Sequence, residues 1–288
     1  MEIKKPIFII GVGRSGSTVF HQIFSRHPNV AWLSSLCNKF PNDPSKNKLL
    51  MKIHEYTITS RFLKNRLKPG ECYEFWNYYY KGFRRPCRDL LATDVTTKTK
   101  NGVRNFFSEI LTERRNRLLV KITGWPRIGF LREIFKDAKF IHIIRDGRAV
   151  VNSMVNVDWW WGWRGPQNWR WGELKPVYKK EWEQYNKSFI ALVAIEWKIL
   201  IDAMEETKKF IDKNSLLEIK YEDLCSHPQN VFKGVLEFSE LQWSKKFAKE
   251  IKQYKLKNTN YKWQKELTLK QQNILEEILH DYFKKFNY

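Results

Sequence analysis

The chain has 288 residues and is 42% hydrophobic, enough to bury a sizeable core in one large domain, and nothing in the composition marks a second. Its formal net charge of +21, from 52 Lys and Arg against 31 Asp and Glu, points to anionic partners such as nucleotides, nucleic acid, sulfated sugars or phospholipid surfaces, with lysine-rich solvated surface accounting for most of the excess. Two classes drop out early: no run of about 18 apolar residues suggests a transmembrane span, and Cys37, Cys72, Cys87 and Cys225 lie too far apart, with no histidine at ligand spacing, for a metal framework.

Reduced, mostly buried thiols are expected, which suits a cytoplasmic protein. The N-terminal "MEIKKPIFIIGVG" carries an apolar run too short for a signal-peptide core. That run, Ile7–Ile10, reads as a strand entering a glycine-rich loop and then a helix over Ser17–Arg26. Residues 37–101 show no clean period. A helix is expected over Val103–Arg115, a strand over Leu118–Ile122, a helix over Ile128–Phe135, a strand over Phe140–Ile144 and a helix over Arg148–Val155.

Residues 157–178 are again irregular, aromatic and polar. A long helix follows over Lys179–Phe210, with Phe189, Leu192, Val193, Glu196, Trp197 and Leu200 at helical spacing. A strand over Leu216–Ile219 and helices over Pro228–Glu237 and Leu269–Phe283 complete the chain. Pro228 suits a first helical turn, where its missing N–H has no partner to lose. Short apolar strands alternating with helices predict an α/β fold with a central parallel sheet flanked by helices. The segments 37–101 and 157–178 are then insertions on the acceptor side of one domain spanning 1–288.

The loop "GVGRSGST" places Gly11, Gly13 and Gly16 where the backbone must turn tightly, so that successive N–H groups converge on an anion at the start of the next helix. It nearly matches the nucleoside-triphosphate loop G-x-x-x-x-G-K-[ST], yet Ser17 stands where the lysine belongs. Arg14 lies inside the loop instead and offers a two-pronged contact to a phosphate and the group attached to it. A second segment, "KFIHIIRDGRAVVNSMV", ends a strand in Arg145 and carries Ser153 two turns along the next helix, a pair able to grip one further phosphate. The implied ligand is a nucleotide phosphorylated at two separate points.

On these residues the sequence resembles the sulfotransferase family. "RSGST" is similar to that family's 5′-phosphosulfate loop and "RDGRAVVNS" to its 3′-phosphate motif, in the same order and roughly 130 residues apart. "LEIKYEDLCSHP" resembles the strand followed by a Tyr-Glu-Asp-Leu stretch, and "NYKWQKELT" the mobile loop that covers the cofactor. The resemblance implies a P-loop-like fold and a 3′-phosphoadenosine 5′-phosphosulfate (PAPS) donor, released as adenosine 3′,5′-bisphosphate. It assigns donor binding to Gly13, Arg14, Ser15, Gly16, Ser17, Thr18, Arg145, Ser153, Tyr221 and Lys262. No metal is implied.

In-line sulfuryl transfer needs positioning and cations where charge builds on the leaving oxygen. Arg14 and Lys121 are the candidates, Lys121 ending "LLVKI" at a position resembling the catalytic lysine of tyrosylprotein sulfotransferases. Those relatives carry an acidic residue after "HPNV", where this chain has "AWLSSL" with Ser34 and Ser35. The base must come from elsewhere: Glu71 in "PGECYEFW" is the first candidate, with Glu74, Asp94 and His54 as alternatives.

"DWWWGWRGPQNWRWG" (158–172) holds six of the 13 tryptophans and suggests either a stacking platform or a lid that only packs. The acceptor is expected to be a small-molecule, glycan or lipid hydroxyl, and nucleic acid is not an expected partner. Two other readings stay open on the sequence: a P-loop kinase using ATP, which Ser17 and Arg145 disfavour, and a basic nucleic-acid-binding protein, which lacks any recognised binding motif.

Overall fold

In the computed structural model, which describes residues 1–55, 68–84, 87–162, 165 and 173–288, five short apolar segments form a parallel sheet. They are β1 (Ile7–Ile10), β2 (Val30–Trp32), β3 (Arg117–Lys121), β4 (Lys139–Ile144) and β5 (Leu216–Lys220), in the order β2-β3-β1-β4-β5. Branched and aromatic residues dominate them, as a sheet covered on both faces requires. The register sets Ile9 beside Lys121 and Ile10 beside His142, so β1 and β3 end nearly level and β4 runs two residues further. Because the chain places β3 on one side of β1 and β4 on the other, a crevice opens at the carboxyl end of β1, where ligands of such sheets bind.

One core packs Phe8 on Phe140, with ring centroids 5.6 Å apart, and continues through Phe135, Phe107, Phe75 and Trp76. The other gathers around the helix Phe189–Lys208, where Leu192, Trp197 and Leu200 meet Leu275 and Leu279 of the helix Leu269–Phe286. Among the described residues, no helix is long and apolar enough to cross a membrane.

Several expectations need correction. β2 escaped the sequence reading because "VAW" is only three residues long and lies at the sheet edge. The single helix expected over 179–210 is two, Pro176–Gln184 and Phe189–Lys208. Asn186 and Lys187 adopt positive φ between them and Ser188 caps the second through the Ile190 N–H, so the apolar period restarts there. The helix expected over 103–115 runs Thr97–Ile110, because the Thr96 hydroxyl caps Thr99 N and Leu111 is already extended.

The supposedly irregular 37–101 contains the helices Ser45–Ile53 and Tyr73–Tyr79, and a short one, Leu36–Lys39, begins just before it. Each is too short for its period to stand out. Of the four free cysteines, Cys37 and Cys72 are buried, Cys225 is half-buried and Cys87 is exposed, so burial is less general than expected.

Candidate active site

After Ile10 the backbone folds through the glycine loop into the helix Ser17–Phe24. A Cβ at Gly11 (φ 147°) would lie 2.6 Å from the Ile143 carbonyl oxygen, and one at Gly16 (φ 89°) 2.2 Å from the Tyr221 ring. Both positions are closed to any side chain. Arg14 takes φ 71° without being glycine, a conformation that costs of order 1–3 kcal/mol. The helix starts with no side-chain cap, leaving its first N–H groups for an outside acceptor. Within the loop the Ser15 hydroxyl is buried and has no hydrogen-bond partner. Uncapped amides and an orphaned hydroxyl together fit an anionic group.

Arg145, at the end of β4, is 7% exposed. Its Nε donates to Asn260 Oδ1 (2.9 Å), one terminal nitrogen to the Arg14 carbonyl (2.9 Å) and the other to Thr259 Oγ1 (3.0 Å). Its guanidinium lies 4.5 Å from the centre of the Tyr221 ring. A guanidinium has five N–H groups, so these bonds leave one free on each terminal nitrogen, a fork suited to one anion. Arg14 Nε donates to Ser153 Oγ (2.9 Å), which ties the loop to the helix Gly147–Val155. Arg14, Arg145, Ser153, Thr259 and Lys262 line one cavity of about 670 Å³. Tyr221 braces this cluster, its hydroxyl donating to the Lys257 carbonyl (3.0 Å), and burial pushes its pKa up to about 12.

A second cluster forms at the end of β3. Lys121, 6% exposed, places Nζ 2.7 Å from Glu71 Oε1 and donates to Thr18 Oγ1 at 2.8 Å. Thr123 Oγ1 donates to the same carboxylate at 3.1 Å, and the Tyr73 hydroxyl donates to the Thr123 carbonyl at 2.9 Å. Burial alone would raise the Glu71 pKa, but the charge and hydrogen bond of Lys121, helped by Tyr73 and Thr123, outweigh it and hold the carboxyl below its ordinary value. One turn after Thr18, His21 is fully buried; burial first and the Lys121 charge second hold its imidazole well below the usual pKa, and its Nε2 has no hydrogen-bond partner.

Glu71 reaches this position because its segment is stitched to the one after β2. Gly70 N donates to the Leu33 carbonyl (2.9 Å), Pro69 bridges to Ser34, and Cys72 Sγ donates to the Ser34 carbonyl (3.0 Å). Ser34 is occupied structurally, its N–H and hydroxyl both donating to Asn47 Oδ1 at 3.0 and 2.7 Å. The carboxylate missing from "AWLSSL" is thus replaced in space by one from a neighbouring segment.

The other acid-base candidates hold different partners. Glu74 pairs with Arg84 (2.5 Å), Asp94 with Arg88 (2.6 Å), and the His54 ring packs edge-on against Trp32. In the tryptophan-rich stretch, residues 163–164 and 166–172 lie outside the described residues. Trp160 is buried and donates to Glu196 Oε2 (2.9 Å), Trp161 is half exposed, and half-exposed Trp159 sits 3.9 Å from where a Gly13 Cβ would be. Sequence reasoning missed Thr259, Asn260, Tyr73 and Thr123. The polar "KNTN" just ahead of Lys262 was the one available signal.

A profile described as "Sulfotransferase family" matches residues 6–245. The chain is 24% identical over 245 residues to protein-tyrosine sulfotransferase A of Caenorhabditis elegans, covering 83% of this chain and 51% of that protein. It is 24% identical over 188 residues to omega-hydroxy-beta-dihydromenaquinone-9 sulfotransferase Stf3 of Mycobacterium tuberculosis, covering 64% of this chain and 44% of that protein. The chain therefore spans about half the length of the curated relatives it matches. Among solved structures, sulfotransferase STF9 from Mycobacterium avium superposes with a TM-score of 0.61 at 15% identity, over 99% of this chain and 78% of that one. The sulfotransferase domain from the curacin biosynthetic pathway gives 0.52 at 14% identity, over 96% and 98%. These likenesses establish the P-loop-like sulfotransferase fold.

Proposed function

The chain belongs to the sulfotransferase family, and from that premise we propose that it moves the sulfuryl group of PAPS to an acceptor hydroxyl, with Glu71 as base. The bound donor supplies a sulfuryl group activated by its link to the 5′-phosphate. In this reading the loop amides, with the hydroxyls of Ser15, Ser17 and Thr18, hold the 5′ end, and the glycines at 13 and 16 keep side chains out of its way. The two free N–H groups of Arg145, together with Ser153 and Lys262, hold the 3′-phosphate, while Tyr221 fixes the Arg145 plane. Arg14 and Lys121 place positive charge where the leaving oxygen becomes negative. Glu71 takes the acceptor proton on its carboxylate; it is kept ionised for that task by the cation beside it.

The observation that carries this reading is the contact among Glu71, Lys121 and Thr18 (2.7 and 2.8 Å), which joins a base, a cation and the phosphate loop at one point. An oxygen acceptor is favoured because both relatives are named for hydroxyl-bearing substrates, a tyrosine and an omega-hydroxy-beta-dihydromenaquinone-9. A small molecule, glycan or lipid fits equally, and half-exposed Trp159 offers apolar surface beside the loop.

Calorimetric titration with adenosine 3′,5′-bisphosphate, with ATP and adenosine 5′-phosphate as controls, tests the donor. Selective binding of the bisphosphate supports it; a preference for ATP overturns it. With PAPS then supplied, the acceptor class follows from a screen of phenols, glycans and lipid alcohols, and transfer that survives Glu71→Gln removes Glu71 as base.

A further inference from the structure

The positive charge is not evenly spread. Between Leu241 and Lys265 the sequence has eight lysines and one acidic residue, Glu250. Six of them, Lys245, Lys246, Lys249, Lys252, Lys255 and Lys257, are exposed, and none takes part in an ion pair among the described residues. Elsewhere, lysines such as Lys198, Lys208 and Lys285 lie against glutamates at 2.5–2.6 Å.

The row is built into the fold. The helix Lys245–Gln253 buries Phe247 and Ile251, Phe247 packing against Phe232 and His27 at 5.6 and 5.1 Å, which turns the lysines outward. Tyr254 then receives Arg26 Nε (3.3 Å), and the Lys257 carbonyl accepts from Tyr221. Two residues on, Thr259 and Asn260 contact Arg145, and Lys262 lines the donor cavity. The row therefore runs along one side of the molecule and ends in the cleft.

Lys245 to Lys252 spans about 10 Å at helical rise, comparable with the screening length at about 0.1 M salt. The charges consequently act as one field rather than as separate side chains. No large exposed apolar residue interrupts the row between Lys245 and Lys257, so it lacks what a bilayer-inserting surface needs. Its continuity with the cleft selects the ligand.

Resting on the donor reading above, we propose that this lysine row is a capture surface for the polyanionic nucleotide donor, which it steers toward Arg145 and the phosphate loop. Steering of this kind raises association rates and leaves dissociation alone.

Stopped-flow association of adenosine 3′,5′-bisphosphate, followed by tryptophan fluorescence, tests it. The variant carrying Lys245→Gln, Lys246→Gln, Lys249→Gln and Lys252→Gln changes solvent-facing residues only. At an ionic strength of about 20 mM it should associate about ten-fold more slowly than wild type, with unchanged dissociation and a gap that closes as salt rises. A control with Lys175, Lys179, Lys180 and Lys213 changed to Gln loses the same charge from other exposed positions and should behave as wild type. Equal slowing in both variants, an unchanged rate in the first, or an effect confined to dissociation overturns the capture surface. A wild-type protein that does not bind the bisphosphate overturns the donor reading itself.

Discussion

The two sides of the crevice are built differently. The side we assign to the donor comes from two contiguous stretches, Gly11–Thr18 and Arg145–Ser153, and backbone geometry does much of its work: positive φ at Gly11 and Gly16, uncapped helix amides and the Arg14 carbonyl that braces Arg145. The side we assign to the acceptor comes from Glu71, Lys121 and Thr123, drawn from separate segments and joined to the loop through Thr18, and its working state is set by side chains acting on one another. A backbone-built site tolerates the loss of one side chain better than a site whose members hold each other's charge. The largest mutational effects on turnover should therefore fall on the acceptor side, and those on affinity on the donor side.

The strongest test of that contrast is Glu71→Gln, expected to lower single-turnover transfer by about 10³-fold while bisphosphate affinity measured by calorimetry stays within about two-fold. Lys121→Ala should cost about 10²-fold in turnover. It should also move the acid limb of the pH–rate profile upward, because burial without the cation favours protonated Glu71; in the wild type the same cation keeps that limb below the ordinary 4.5. An unmoved limb would show that the limb is not Glu71's.

On the donor side, Arg145→Ala should weaken adenosine 3′,5′-bisphosphate by about 10- to 100-fold, as loss of charge-assisted bonds does, and adenosine 5′-phosphate hardly at all. Equal losses would break the assignment of Arg145 to the 3′ end. Gly16→Ala, forced against the Tyr221 ring at positive φ, should cost about 1–3 kcal/mol of stability in chemical denaturation.

The smallest effect concerns Asp89, whose carboxyl accepts from Arg127 N and Leu90 N and whose pKa burial raises to about 6. Because the folded value lies above the unfolded one, its contribution to stability is present below pH 3.8 and is lost as pH rises through about 6. Asp89→Asn should remove that slope and leave the melting temperature at neutral pH equal to or a few degrees above wild type.

This difference in construction also decided what could be read from the sequence. The glycine loop, Arg145 and Ser153, which the fold brings around one cavity, could be picked out together because each motif is local and its strand and helix context can be checked within twenty residues or so. Glu71 and Lys121 could be named singly, one from its aromatic neighbourhood and one from its strand end, but their contact depends on Pro69 and Gly70 pairing with Leu33 and Ser34. No periodicity encodes such a pairing. The Arg145 supports Thr259 and Asn260 were equally hidden, since a short polar stretch carries no sign of the side chain it will meet. β2 went unseen because three residues cannot display an alternation.

His21 has one more consequence. A neutral imidazole sealed in the core, with one nitrogen unpartnered and Lys121 as its charged neighbour, is a built-in voltmeter for the centre we propose there. Its ring-nitrogen resonances should register ligands that enter beside Lys121, without a label having to be placed in the site.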